Sequence, residues 1–232
     1  HAEAERLAQF AELKEIVAAD VVGREADGLA VDLCGNGHAV DLRVHKRALA
    51  VISDGGQVDV VVATYSITDK RKELISFAGP YFTSRYAVLV NAGREDIKSV
   101  GSLAKKTVAT QSGSTGPAIL AKFAPEAVVE EFKSDIEART ALQQKRVDAY
   151  VTDYTLLLNA IVKTPNTYKI AGGSFGSEDN YGLGLPKDSD GVAFVNAFLK
   201  KIIEEGTWEK LWKITLGDRT GIPNAPQPPH ID

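Results

Sequence analysis

The 232-residue chain is predicted to be an α/β protein. Three observations carry this. Short, continuous β-branched runs such as Val58–Ala63 read as strands buried on both faces. Several such strands run into a small polar turn and then a helix-like segment. Hydrophobic residues are 44% and charged residues 25% of the chain, which excludes a disordered, collagen-like or disulfide-stapled chain. Strands alternating with helices argue for mostly parallel sheets.

In chain order, residues 1–19 read as an amphipathic helix with Leu7, Phe10, Leu13 and Val17 at helical spacing. Asp20 to Arg43 is irregular, with turn signals at Asp27-Gly28 and Gly35-Asn36-Gly37. Arg47–Ser53 reads as a helix ending at Gly55-Gly56. The strand Val58–Ala63 leads through Thr64–Thr68 to a charged helix start at Asp69–Glu73, and a strand is expected near Ala87–Val90. The pattern then repeats twice. Lys106–Thr110 is a strand, Gln111–Thr115 a polar turn, and Pro117 lies in the first turn of a helix, where proline is tolerated. Val147–Val151 is a strand that Thr152-Asp153 ends, with a helix from Tyr154. Tyr181–Leu185 is a strand, and Val192–Glu204 is a helix with Val195, Leu199 and Ile202 on one face. Another helix begins over Trp208–Trp212, and a proline-rich tail runs from Pro223.

The formal net charge of −4 disfavours nucleic-acid and anionic-membrane surfaces, which need a basic patch. No apolar run approaches the roughly 20 residues of a membrane-spanning helix. Cys34 is the single cysteine, so no intrachain disulfide forms. The chain opens at His1 and lacks methionine, which reads as a processed or engineered chain.

Ligands of open α/β sheets bind beyond the carboxyl ends of strands. Three such ends carry small polar residues: Thr64 and Ser66; Gly113, Ser114 and Thr115; Thr152 and Asp153. Hydroxyls and N–H groups at helix starts suit a carboxylate. Arg71 could grip that carboxylate bidentately, and Asp153 could answer an ammonium. Together they describe a receptor for a zwitterion, an α-amino acid. Each residue also has a plain structural reading. Arg71 suits a solvated salt bridge, Asp153 a helix N-cap, and Ser114 and Thr115 caps for the helix at Pro117. No metal or cofactor is expected. Gly172-Gly173-Ser174-Phe175-Gly176 fits a nucleophile elbow, yet no helical pattern follows and only His230 lies downstream. Cys34 and His38 lack a second ligand pair.

From about Val44 to its end the chain resembles the solute-binding proteins of bacterial polar amino-acid ABC importers, extracellular family 3. The resemblance is densest over Gly56–Arg71 and Phe77-Ala78-Gly79-Pro80-Tyr81. It continues in Gly113-Ser114-Thr115 and Val147–Asp153, and the ending, Gly206–Trp212 then proline-rich to Asp232, is most similar to a glutamate-binding branch. The resemblance implies a type II periplasmic-binding-protein fold with two α/β lobes closing on the ligand. Lobe 1 would hold 1–86 and 187–232, and lobe 2 would hold 87–186, with hinge strands near 87–90 and 181–186. It implies that Ser66, Arg71 and Thr115 hold the α-carboxylate, and that Ala63 or Thr64, with Asp153, holds the α-amino group. Arg85 is the foremost of four cations, with His45, Lys46 and Arg47, considered for an acidic, glutamate-like side chain. The implied setting is the periplasm or the outer face of the cell membrane, with a lipid anchor before processing. The implied partners are an amino acid and an ABC permease, with the protein a monomer. Alternatives on the same fold are a receptor sensing module and a cyclohexadienyl-dehydratase-like enzyme with Glu178 or Asp179 as acid.

The first 43 residues depart from the family pattern. Gly28–Leu33 is only faintly similar to the family's first helix start, and Phe10 and Tyr65 are the only aromatics before Phe77, so the usual aromatic shelf is missing. A remodelled first lobe with a weakened pocket is therefore expected. Calorimetry with a panel of amino acids checks this, and ordinary tight binding would sink it.

Overall fold

The computed structural model describes residues 28–31, 40–42 and 60–231. The helices expected over 1–19 and 47–53, the start of the strand at Val58-Asp59, and Cys34, His38, His45, Lys46 and Arg47 lie outside these residues. The chain forms two compact units, one of residues 1–83 and 180–232, the other of 84–179. It therefore passes from one unit to the other at Thr83-Ser84 and returns at Asp179-Asn180.

In the first unit, β1 (Gly28–Val31) pairs antiparallel with β2 (Val40–Leu42) and β3 (Val60–Val62). Gly28–Val31 is thus a strand rather than a helix start, held in register from both sides. All three β3 valines are buried, as a continuous β-branched run in a covered strand requires. A short helix, α1 (Asp69–Lys72), follows, with Thr68 Oγ1 accepting from the Arg71 N–H at 3.3 Å. The long strand β4 (Ser76–Asn91) extends well beyond the short strand expected near 87–90. Its first half, through Thr83, belongs to this unit. Likewise β9 (Phe175–Leu185) begins six residues before the expected Tyr181, and its second half pairs antiparallel with β3 at Val61 and Gly184.

The core of this unit joins Val60, Val62, Tyr81, Phe82, Tyr181 and Leu183 to Val195, Phe198, Leu199 and Ile202 of α5 (Gly191–Glu204). Helix α6 (Thr207–Trp212) adds Trp208 and Trp212. Trp208 Nε1–H donates to the Tyr81 carbonyl at 2.8 Å, so the indole supplies both apolar area and a satisfied polar handle. A π-helical turn over Lys213–Gly217 and α7 (Asp218–Thr220) complete the chain before the tail.

In the second unit, β5 (Thr107–Gln111) runs parallel to β6 (Val128–Phe132) and to β7 (Ala149–Asp153). Helix α2 (Gly116–Phe123) connects β5 to β6, and α3 (Asp135–Gln143) connects β6 to β7, the crossover helices that parallel strands need. The second half of β4 instead pairs antiparallel with β7 and with β8 (Tyr168–Ile170). The sheet is therefore mixed rather than mostly parallel. β4 enters directly from the other unit and is not bound to a neighbour by a crossover helix. Helix α4 (Tyr154–Lys163) follows β7 at the expected residue. Two apolar clusters line this sheet, one around Ala87, Leu89, Tyr150 and Leu157, the other around Val88, Val90, Val108 and Leu120.

Strand β6 and helix α3 were not expected. The β6 sequence VVEEF has both valines exposed, so it carries no buried stripe for periodicity to reveal.

Gly182 in β9 admits no side chain. A Cβ there would lie 2.9 Å from the Ala78 carbonyl and 2.9 Å from Ile67 side-chain atoms. Gly182→Ala is expected to destabilise the first unit by about 1–3 kcal/mol, the usual cost of overpacking, read as a lower urea midpoint.

Candidate functional site

Where β3 ends, the chain turns sharply through Ala63 and Thr64 to Tyr65, whose N–H donates to the Ala63 carbonyl at 2.5 Å. The same carbonyl accepts the Tyr81 hydroxyl at 2.8 Å. Ser66 is buried and bridges Tyr181 of β9. Ile67 N–H and Gly182 N–H hold this segment to β9 through the carbonyls of Asn180 and Tyr65. The loop that carries Thr64 and Ser66 is therefore pinned by backbone hydrogen bonds on both sides.

Arg71 is 7% exposed, so it is desolvated and not the solvated group considered from its charged surroundings. Its Nη1–H donates to the Ser66 carbonyl at 2.7 Å, and its guanidinium carbon lies 4.6 Å from the centre of the Tyr65 ring. A desolvated guanidinium over an aromatic face gains from the ring quadrupole. The helix start contributes directly, because α1 turns Arg71 inward while Lys70 and Lys72 stay exposed. Burial pushes the Tyr65 phenol up to about 12, against the opposing pull of Arg71.

In the second unit, Gly113 adopts φ +77°, the left-handed region open to glycine, and turns the chain from β5 into α2. Ser114 Oγ donates to the Gln111 carbonyl at 2.7 Å and accepts the Gly116 N–H at 3.1 Å. Ser114 thus does the structural work at this turn. Thr115 occupies the N-cap position but makes no side-chain cap bond. Its hydroxyl instead bonds the hydroxyl of Tyr86.

Asp153 is the last residue of β7 and the N-cap residue of α4. Its side chain makes no cap hydrogen bond and is only 9% exposed. It sits in register with Tyr86 on β4. Tyr86 in turn donates to Asp179 Oδ2 at 2.8 Å, and Asp179 is buried at 7% exposure. Burial first, and then the Asp179 carboxylate, push the Tyr86 phenol far above the ordinary tyrosine range. Arg85 is exposed and donates through Nε and Nη2 to the Gly176 carbonyl, at 3.3 and 2.7 Å. Glu178 is exposed. Ser174 runs into strand β9 with no helix after it, so the elbow geometry is absent. Among the described residues no group of three metal-ligating side chains gathers, and no helix is long and apolar enough to cross a membrane.

Sequence reasoning singled out Thr115, Asp153 and Arg71 but passed over Tyr65 and Tyr86. Tyr65 had a weak signal, an aromatic within the strand-end turn and six residues before Arg71. Tyr86 had none, since its partners lie 29 and 93 residues away.

Residues 41–217 match the bacterial extracellular solute-binding proteins, family 3. The ABC transporter glutamine-binding protein GlnH of Bacillus subtilis is 32% identical over 191 residues, covering 81% of this chain and 69% of that protein. The glutamate-binding protein GluB of Corynebacterium glutamicum is 30% identical over 169 residues, covering 70% of this chain and 57% of that protein. The chain therefore spans 69% and 57% of these two relatives' lengths. Among solved structures, an ancestral arginine-binding protein bound to glutamine superposes with a TM-score of 0.74 at 29% identity, covering 88% of this chain and 87% of that one. The fold is that of the type II periplasmic binding proteins.

Tyr65 sets a pH dependence. Its phenol ionises near 10 when unfolded and near 12 when folded, so the neutral form is favoured by the fold. The contribution is complete below pH 10 and is lost as pH rises towards 12. Urea unfolding across pH 9–12 is expected to show a shallower alkaline decline in Tyr65→Phe than in the unaltered protein.

Proposed function

We propose that this chain, which belongs to the family 3 bacterial extracellular solute-binding proteins, captures a polar amino acid outside the cytoplasmic membrane and delivers it to an ABC importer. Capture is noncatalytic and works by charge pairing. The observation that carries the reading is the burial of two opposite charges, Arg71 on α1 at 7% and Asp153 at the end of β7 at 9% exposure. Each sign suits one end of an amino-acid zwitterion, the guanidinium its carboxylate and the carboxylate its ammonium. Arg71 has the fork geometry for an α-carboxylate, beside the Ser66 hydroxyl. The Asp153 carboxylate takes the α-ammonium, with the Ala63 or Thr64 carbonyl as a further acceptor. Gly113, Ser114 and Thr115 supply the start of α2, where a helix favours negative charge.

The names of the relatives support the chemical class: one is a glutamine binder of an ABC transporter and another a glutamate binder. An acidic side chain, favoured by the branch resemblance, needs a cation. Arg85 offers one, with part of its guanidinium committed to the Gly176 carbonyl. The ligand is thus a polar amino acid of glutamate or glutamine size. An ABC permease is the partner, and the periplasm or outer face of the membrane the place of work.

Arg71→Ala and Asp153→Ala are each expected to remove detectable amino-acid binding, a loss of about 2–5 kcal/mol or more, with the far-UV circular dichroism unchanged. Calorimetry of each variant with L-glutamate and L-glutamine checks this. Unchanged affinity in either variant takes that residue out of the site.

A further inference from the structure

Tyr86, Thr115 and Asp179 form a hydrogen-bonded row within the second unit, and their protons can be counted. A phenol carries one proton, and Tyr86 gives it to Asp179 Oδ2 at 2.8 Å. A carboxylate has only lone pairs to offer, so this bond runs one way. The Tyr86 oxygen therefore has no proton left for Thr115. In the hydroxyl–hydroxyl bond between Thr115 and Tyr86, Thr115 must be the donor. Its only proton is then committed, and the remaining face of Oγ1 carries lone pairs alone.

We propose that Asp179 and Tyr86 are positioning residues that lock the Thr115 hydroxyl as a hydrogen-bond acceptor, so that the ligand group it meets is an N–H donor: an ammonium, a carboxamide or a guanidinium, and not a carboxylate. This rests on the reading of Thr115 as a ligand contact. It also changes one expectation attached to that residue, because the hydroxyl cannot hold an α-carboxylate while the row stands. Any anion at this turn would be met by backbone N–H groups instead.

Three further observations agree. Tyr86 and Asp179 are buried, at 3% and 7% exposure, so water does not compete freely for their bond. Asp153 is in register with Tyr86, which places a second carboxylate beside the row. Two carboxylates near one point favour a ligand's cationic or N–H-bearing part and oppose an acidic one. Thr115 is half-buried, so the residue is not sealed from solvent.

The test uses the whole chain with L-glutamine as probe. In a crystal structure of that complex, a ligand nitrogen is expected within about 3.2 Å of Thr115 Oγ1. A carboxylate oxygen in that place overturns the proposal. In calorimetry, Thr115→Val, Tyr86→Phe and Asp179→Asn are each expected to weaken L-glutamine binding about five- to tenfold, the worth of one hydrogen bond. Tyr86→Phe combined with Thr115→Val should fall no further than Thr115→Val alone, because Tyr86 acts through Thr115. A merely structural Tyr86 would give additive losses, which overturns the proposal. Should Tyr86→Phe fail to fold, the complex of the unaltered protein still decides. Full affinity in Tyr86→Phe alongside lost binding in Arg71→Ala and Asp153→Ala removes the row and leaves the site. Full affinity in all three removes both.

Discussion

The buried guanidinium of Arg71 is the constraint around which the first unit's site is organised. A desolvated cation must be held by groups that compensate for lost water. The Ser66 carbonyl and the Tyr65 ring do so from five and six residues upstream. That arrangement demands a tight reversal after β3, which the Tyr65 N–H makes by closing onto Ala63. It also demands a helix start at Asp69, so that Arg71 turns inward from an otherwise charged stretch. The pinning of this loop to β9 keeps the Ser66 carbonyl aimed at the guanidinium. One charge thereby explains the turn, the short helix and the backbone bridge together.

The second unit applies the opposite sign in a similar way. β7 ends on Asp153 and β5 ends in the turn that presents Thr115. In both places the residue at the head of the helix withholds its side chain from the ordinary capping role. A cap bond contributes roughly 1 kcal/mol, and neither side chain makes one at its own helix start. Thr115 is committed to Tyr86. Ser114 meanwhile satisfies the helix start, so the turn keeps its stability while Thr115 is spared for another bond.

Much of this could be read from the sequence because it is local. The run Val60–Val62, the turn residues after it, Gly113 with its left-handed backbone, the proline at the head of α2 and the apolar face of α5 each follow from a few adjacent residues. What escaped notice was non-local or lacked a buried stripe. β6 exposes its valines, and α3 has a weak apolar face of two alanines and a leucine. The lengths of β4 and β9 were underestimated because Phe77–Phe82 and Phe175–Asn180 carry glycine, proline and polar residues that read as loops.

The sequence by itself determined the alternation of strands and helices and the identity of the polar residues where three strands end, because turn chemistry and periodicity are written in neighbouring residues. Only the tertiary structure decided which of those residues are buried and which way their hydrogen bonds run. Arg71 is charged and flanked by charges, yet it is desolvated, a fact set by packing around it rather than by its neighbours in the chain. Thr115 could have capped its helix; its hydroxyl instead meets a tyrosine 29 residues earlier, itself tied to an aspartate 93 residues further on. Hydrogen-bond direction depends on which groups meet in space, and chain order does not record that.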